Sequence, residues 1–243
     1  VQQLREEIST LLTVAQAEDE VIVRLESSGG MVHAYGLAAA QLARIKEAGL
    51  HLTVCIDKVA ASGGYMMACV ADKILAAPFA VVGSIGVVAQ VPNFHDLLEK
   101  HDIDVEVFTA GKYKRTVTVF GENTEEDKQK FQQELEETHK LFKDFVRKYR
   151  PSLDVEQVAT GEHWYGEDAI TRNLVDALQT SDSYILEKMT DSELYAIQSR
   201  QKPTIAQKLG ISQAVQAVVA TAIDKLPDAL AKLESAKMPM VKK

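Results

Sequence analysis

Cysteine is scarce in this chain, with two in 243 residues. Cys55 and Cys69 sit apart in the apolar stretches Val54-Cys55-Ile56 and Ala68-Cys69-Val70. Each reads as a buried thiol behaving as a small hydrophobe. A disulfide between them would need an oxidising compartment and a close approach. Two isolated cysteines and six scattered histidines give no metal-ligand spacing, so no metal site is expected. Positive charge is in deficit, 27 Lys+Arg against 35 Asp+Glu for a formal charge of -8. That balance argues against non-specific nucleic-acid binding, which needs a positive field. No stretch reaches the roughly 18 consecutive apolar residues of a membrane-spanning helix, and no signal-peptide pattern is present. An initiating Met is also missing: the sequence opens inside a helix-like segment, and the expectation is a soluble fragment of a longer protein.

What is present is an alternation of strand and helix. Residues 2 to 17 read as a helix with Leu4, Ile8, Leu11 and Leu12 on one face. Val21 to Leu25 reads as a buried strand broken by Ser27-Ser28-Gly29-Gly30, and a helix follows over 31 to 48, ending before Gly49. Further strands are predicted at Leu52–Ile56, Ile74–Ala76, Ile85–Val91 and Val105–Phe108, with helices at 62–71 and 93–101 between them. Short connections in this order predict an α/β fold with a mainly parallel sheet and right-handed crossovers. The second half is helical, with a long charged helix over 124–149 stopped by Pro151, and others over 167–172 and 182–198. Residues 199–202 read as a linker, and the apolar pattern over 204–225 as a tail helix packed on a neighbouring subunit. The division expected is therefore 1–198 for the main domain and 199–243 for a helical tail.

Three segments carry chemistry. Ala61-Ser62-Gly63-Gly64 lies where a strand passes into a helix. Small neighbours let the backbone turn sharply there, leaving Ser62 accessible as a nucleophile with the Gly63 N–H beside it as an oxyanion donor. The alternative is that Ser62 only caps the helix. Gly29-Gly30 follows the first strand, and sites in parallel sheets gather at the carboxyl ends of strands. The Gly29 N–H is thus a candidate second donor, or the loop is simply a turn. Neither loop has the spacing of a phosphate cradle.

A serine nucleophile needs a base, and none of the six histidines lies in a glycine-rich or strand-end setting. Thr109 to Thr116 offers lysines instead, with Lys112, Lys114 and Arg115 and no carboxylate. A lysine acts as a base only when burial or neighbouring positive charge lowers its pKa from about 10.4 toward 7 or 8. The residues alone do not separate Lys112 from Lys114, nor a base from a solvated basic loop.

In order along the chain, Gly29-Gly30, Ala61-Ser62-Gly63-Gly64, Gly83-Ser84-Ile85-Gly86 and Gly111 to Lys114 resemble the signal-peptide peptidase A family, most closely its SohB branch. The resemblance runs from about Val21 to Leu186. It implies a ClpP/crotonase-like fold and a cofactor-free serine endopeptidase with a Ser-Lys dyad. Ser62 would be the nucleophile, Lys114 the base and Ser84 the hydroxyl that holds the lysine amine, with Gly29 as an oxyanion donor. Its implied substrates are signal peptides or other apolar, membrane-associated peptides. It further implies a homo-oligomer, tetramer or octamer, in some relatives with serine and lysine supplied by neighbouring protomers. Its implied setting is the bacterial inner membrane, anchored by a segment absent from this chain, with the catalytic domain on the periplasmic side. Where the family commonly has Pro before its Gly-Gly loop, this chain has Ser28. Two other readings compete: an inactive membrane-associated scaffold of the same fold, and a crotonase-type acyl-CoA enzyme, which would use the two glycine loops without a serine nucleophile.

Overall fold

A computed structural model describes residues 1–198. The expected linker at 199–202 and the tail helix at 204–225 lie outside the described residues. Val1–Ile197 forms one compact unit. It holds a four-stranded sheet in the order β1 (Glu20–Arg24), β2 (His51–Ile56), β4 (Lys73–Ala76), β7 (Ala177–Leu178), with all neighbours parallel. A second sheet runs β3 (Val59–Ala61), β5 (Val81–Gly83), β6 (His163–Tyr165), parallel between β3 and β5 and antiparallel between β5 and β6. This is the mainly parallel α/β arrangement that the alternating pattern predicts.

Residues 52–56 of β2 are all fully buried, as befits a central parallel strand covered on both faces. Leu52, Val54 and Ile56 point into the main core with Leu42, Ile45, Tyr65 and Ile74. Cys55 faces the other side, with Leu75 and Tyr184. The main core lies under α1 (Gln2–Val14), α2 (Val32–Glu47) and α3 (Gly63–Ala68), which pack in succession. α2 stops because Gly49 turns the chain at φ 82°, with Arg44 and Lys46 facing the negative helix end.

The short helix α4 spans His95–Glu99. The long helix α5 (Glu125–Tyr149) is specified locally. Thr124 and Asp127 form a capping box, three acidic residues fill the first turn, Arg147 and Lys148 fill the last, and Pro151 follows. α6 (Val155–Val158) and α7 (Gly166–Thr171) are short. α8 (Ser181–Lys188) lies on the far face of the sheet, and Glu20 accepts from Tyr184, Lys188 and Thr53. Asp57 accepts from the backbone and hydroxyl of Ser181 at 2.7 and 2.6 Å.

Two strands expected from the sequence do not form. Gly83 at φ 101° and Ser84 at φ 51° turn the chain off the sheet, so Ile85–Val91 forms no strand and Val88 is 90% exposed. Val105–Phe108 is likewise outside any strand, with Phe108 87% exposed. The helix expected over 182–198 ends at Lys188. Among the described residues no helix is long and apolar enough to cross a membrane.

Candidate active site

Strand register sets the site. Ser27 bridges Ala60, and Ala60 pairs with Val82. Two residues further along each of the three segments come Gly29, Ser62 and Ser84. The parallel strands therefore deliver these three side by side, at the carboxyl ends where such sheets place their sites.

Ser62 occupies φ 52°, ψ -121°, a conformation that costs a non-glycine residue about 1–3 kcal/mol and persists only where the surroundings enforce it. The enforcement is visible. Its N–H donates to the Gly83 carbonyl at 2.8 Å, and Ala60 and Ala61 before it are buried. Its hydroxyl makes no capping bond to α3, so capping does not account for a serine here.

The residues after Ser62 must be small. A Cβ on Gly63 would lie 2.4 Å from Cγ of Tyr35, and one on Gly64 would lie 2.3 Å from the Ser27 carbonyl oxygen. Gly63 opens α3, so its N–H has no intrahelical acceptor. Gly29 sits against it at φ 94°, where a Cβ would come within 2.8 Å of the Gly63 nitrogen and of Ser62 Cβ. The backbones of Gly29 and Gly63 thus meet beside Ser62, with the Gly29 N–H donating to Ser27 Oγ at 3.3 Å.

Ser84 also has positive φ, 51°. Its N–H donates to the Glu162 carbonyl at 2.7 Å, and its hydroxyl donates to the Gly161 carbonyl at 3.4 Å. Together with Gly29 and Ser62 it lines a cleft of about 850 Å³. Met31, Val32, Val87 and Val88 supply apolar walls, while Thr160 and His139 add polar ones.

His139 is a site residue that the sequence does not flag. Its Nε2 lies 3.3 Å from the Ile85 carbonyl oxygen, and it faces the cleft from α5. The signal is positional: His139, Phe142 and Val146 share one helical stripe, and the two apolar members are buried.

Lys114 is not among the residues that line this cleft. It lies in an exposed turn, with its N–H on the Gly111 carbonyl at 3.1 Å and Gly111 at φ 102°. Lys112 is engaged elsewhere, 2.8 Å from Glu126 and over the Tyr113 ring. That carboxylate hydrogen bond pushes its ammonium pKa up, away from what a general base needs. Among the described residues no cluster of His, Cys, Asp and Glu could hold a metal ion.

The fold and its sequence place the chain among known proteins. Residues 44–195 match peptidase family S49, and residues 1–42 match the N-terminal region of that family. The chain belongs to peptidase family S49, with its ClpP-like α/β fold. Within the family it falls in the SohB branch. It is 65% identical over 207 residues to the probable protease SohB of Haemophilus influenzae, covering 85% of this chain and 59% of that protein. To the probable protease SohB of Buchnera aphidicola from Acyrthosiphon pisum it is 59% identical over 195 residues, covering 80% of this chain and 58% of the relative. The chain thus spans somewhat under two thirds of the length of these relatives.

Proposed function

We propose that the chain is the catalytic part of a serine endopeptidase in which Ser62 attacks a peptide carbonyl and Lys114 is the base. The observation that carries the reading is the strained backbone of Ser62, held with a non-capping hydroxyl where the backbones of Gly29 and Gly63 meet. In the proposed mechanism neutral Lys114 takes the Ser62 proton, and the two amides donate to the tetrahedral oxyanion. The same lysine then activates the water that hydrolyses the acyl-enzyme. Ser84 orients the lysine amine. The pairing of Lys112 with Glu126 favours Lys114 in this role.

Lys114 is exposed and does not line the Ser62 cleft, which supports a dyad completed by the lysine of a second copy. The proposed setting is a homo-oligomer at a bacterial inner membrane, with this domain on the periplasmic side. Extended apolar peptides, signal peptides among them, suit the cleft for two reasons. Its walls carry Met31, Val32, Val87 and Val88. The backbone groups of Gly86, Val87 and Val88 make no hydrogen bond among the described residues, so an extended chain can pair with them.

A peptide-library digest tests the reading. Ser62→Ala and Lys114→Ala should each abolish cleavage, while Lys112→Ala should keep most of it. Cleavage that survives Ser62→Ala, or equal losses at the two lysines, would exclude the assignment.

A further inference from the structure

The Gly29 amide has a holder. Residue 28 is Ser, with no ring to fix the backbone ahead of the glycines, so the stiffness of this loop has to come from contacts. The Gly29 N–H donates to Ser27 Oγ at 3.3 Å, and Ser27 Oγ shares a 2.7 Å hydrogen bond with the Tyr35 hydroxyl. Tyr35 is anchored in the first turn of α2, its N–H on the Met31 carbonyl at 3.1 Å. Its ring is the common wall of both glycine segments. A Cβ on Gly30 would lie 2.9 Å from Tyr35 Cε2, and a Cβ on Gly63 would lie 2.4 Å from Tyr35 Cγ. One side chain therefore touches both loops and, through Ser27, reaches the amide of the first.

We propose that Ser27 and Tyr35 are positioning residues, a brace that holds the Gly29 amide opposite the Gly63 amide. The assignment rests on the oxyanion reading of those two amides. The Gly29 bond is longer than the 2.7–3.2 Å usual for N–H donors. In the resting site this bond fixes the orientation of the amide, which turns to the oxyanion as negative charge develops. Neither side chain touches the reacting carbonyl. Both act by limiting how far Gly29 strays from where the oxyanion forms.

Tyr35→Phe keeps the ring and its packing and deletes only the hydroxyl. Peptide kcat should fall about five- to tenfold with KM unchanged, the scale of one lost hydrogen bond. Affinity for a peptide aldehyde, which forms an oxyanion on Ser62, should fall by the same factor, and that for an uncleavable peptide of the same sequence should not. Ser27→Ala, which removes both bonds, should lose at least as much, and the double variant should fall no further than Ser27→Ala, because both residues act through one chain of bonds. An unchanged kcat, a loss shared equally by the uncleavable peptide, or multiplying losses in the double variant would overturn the brace. Hydrogen exchange at the Gly29 amide gives a readout independent of turnover. It should accelerate in both single variants, and unchanged exchange also overturns the proposal. If the wild type cleaves no peptide, the peptidase reading fails while the exchange measurement still decides the brace.

Discussion

Ser62, Gly63 and Gly29 meet so closely that the same small substitution should act differently at each glycine. At Gly63 a methyl group meets the stem and ring root of Tyr35, atoms that cannot swing away. Gly63→Ala should therefore destabilise the fold by about 1–3 kcal/mol as well as disable the site, seen as a lower midpoint in urea. At Gly29 the clash is with the Gly63 amide itself, and the φ of 94° is one that alanine resists. Gly29→Ala should cut kcat by about 10²–10³-fold, the scale of a lost oxyanion donor. Its unfolding midpoint should move less, because the loop is only partly buried. Both glycines are legible in the sequence as paired motifs after apolar runs. What the sequence hides is the two-residue register that lines up Gly29, Ser62 and Ser84, since pairing across strands is not written in any one strand.

Among the elements, α5 and α8 make a useful contrast. α5 is readable from end to end because its signals are local, from the Thr124 capping box to Pro151. Thr124→Ala should cost about 1 kcal/mol of stability without changing peptide KM. α8 is shorter than its pattern predicts, because what holds it is distant in sequence: Glu20 and Asp57 reach it from β1 and the end of β2. At Glu20, burial pushes the carboxyl pKa up, but hydrogen bonds from Lys188, Thr53 and Tyr184 outweigh it and leave the value below the usual 4.5. At Asp57 burial is likewise outweighed, here by the Ser181 hydrogen bonds and Arg24. A carboxylate depressed on folding stabilises the native state above its unfolded pKa, and that contribution is lost as pH falls through the folded one. Stability should thus decline on acidification below about pH 4.5, and Glu20→Gln should flatten that decline. Chemical denaturation at a series of pH values reads both. The misread strand at Ile85–Val91 has a physical reason as well. Ile85 is buried in the main core while Val87 and Val88 line the cleft, because Gly83 and Ser84 turn the chain first.

For the whole molecule, the absence of Lys114 from the lining of the Ser62 cleft gives the sharpest test of assembly. Ser62→Ala and Lys114→Ala, each inactive alone, should regain part of the wild-type activity when mixed and allowed to exchange subunits, since some sites then pair an intact serine with an intact lysine. No recovery, in protein shown to form mixed oligomers, would confine the dyad to one chain. The residues from 109 to 116 alone do not single out Lys114; only the family resemblance joined it to Ser62, because no local pattern encodes a pairing so distant in sequence. Inside the chain, Arg150 ties α5 to the sheet: it is 7% exposed and pairs bidentately with Asp176 at 2.7 and 2.9 Å. Asp176 in turn accepts the Ile74 N–H at 2.7 Å. Arg150→Ala should cost about 1–3 kcal/mol, the scale of lost hydrogen bonds to a charged group, because the buried guanidinium is removed while Asp176, partly exposed, keeps the Ile74 N–H.

The two amides at the heart of the proposed site carry no side chain, and this has a consequence for how the site can change. Mutations that delete atoms cannot reach either donor; only added atoms can, and there is no room for them. Variation that tunes the chemistry must therefore enter from one layer out, through residues such as Ser27 and Tyr35 that press on the backbone, while the two glycines themselves tolerate almost nothing.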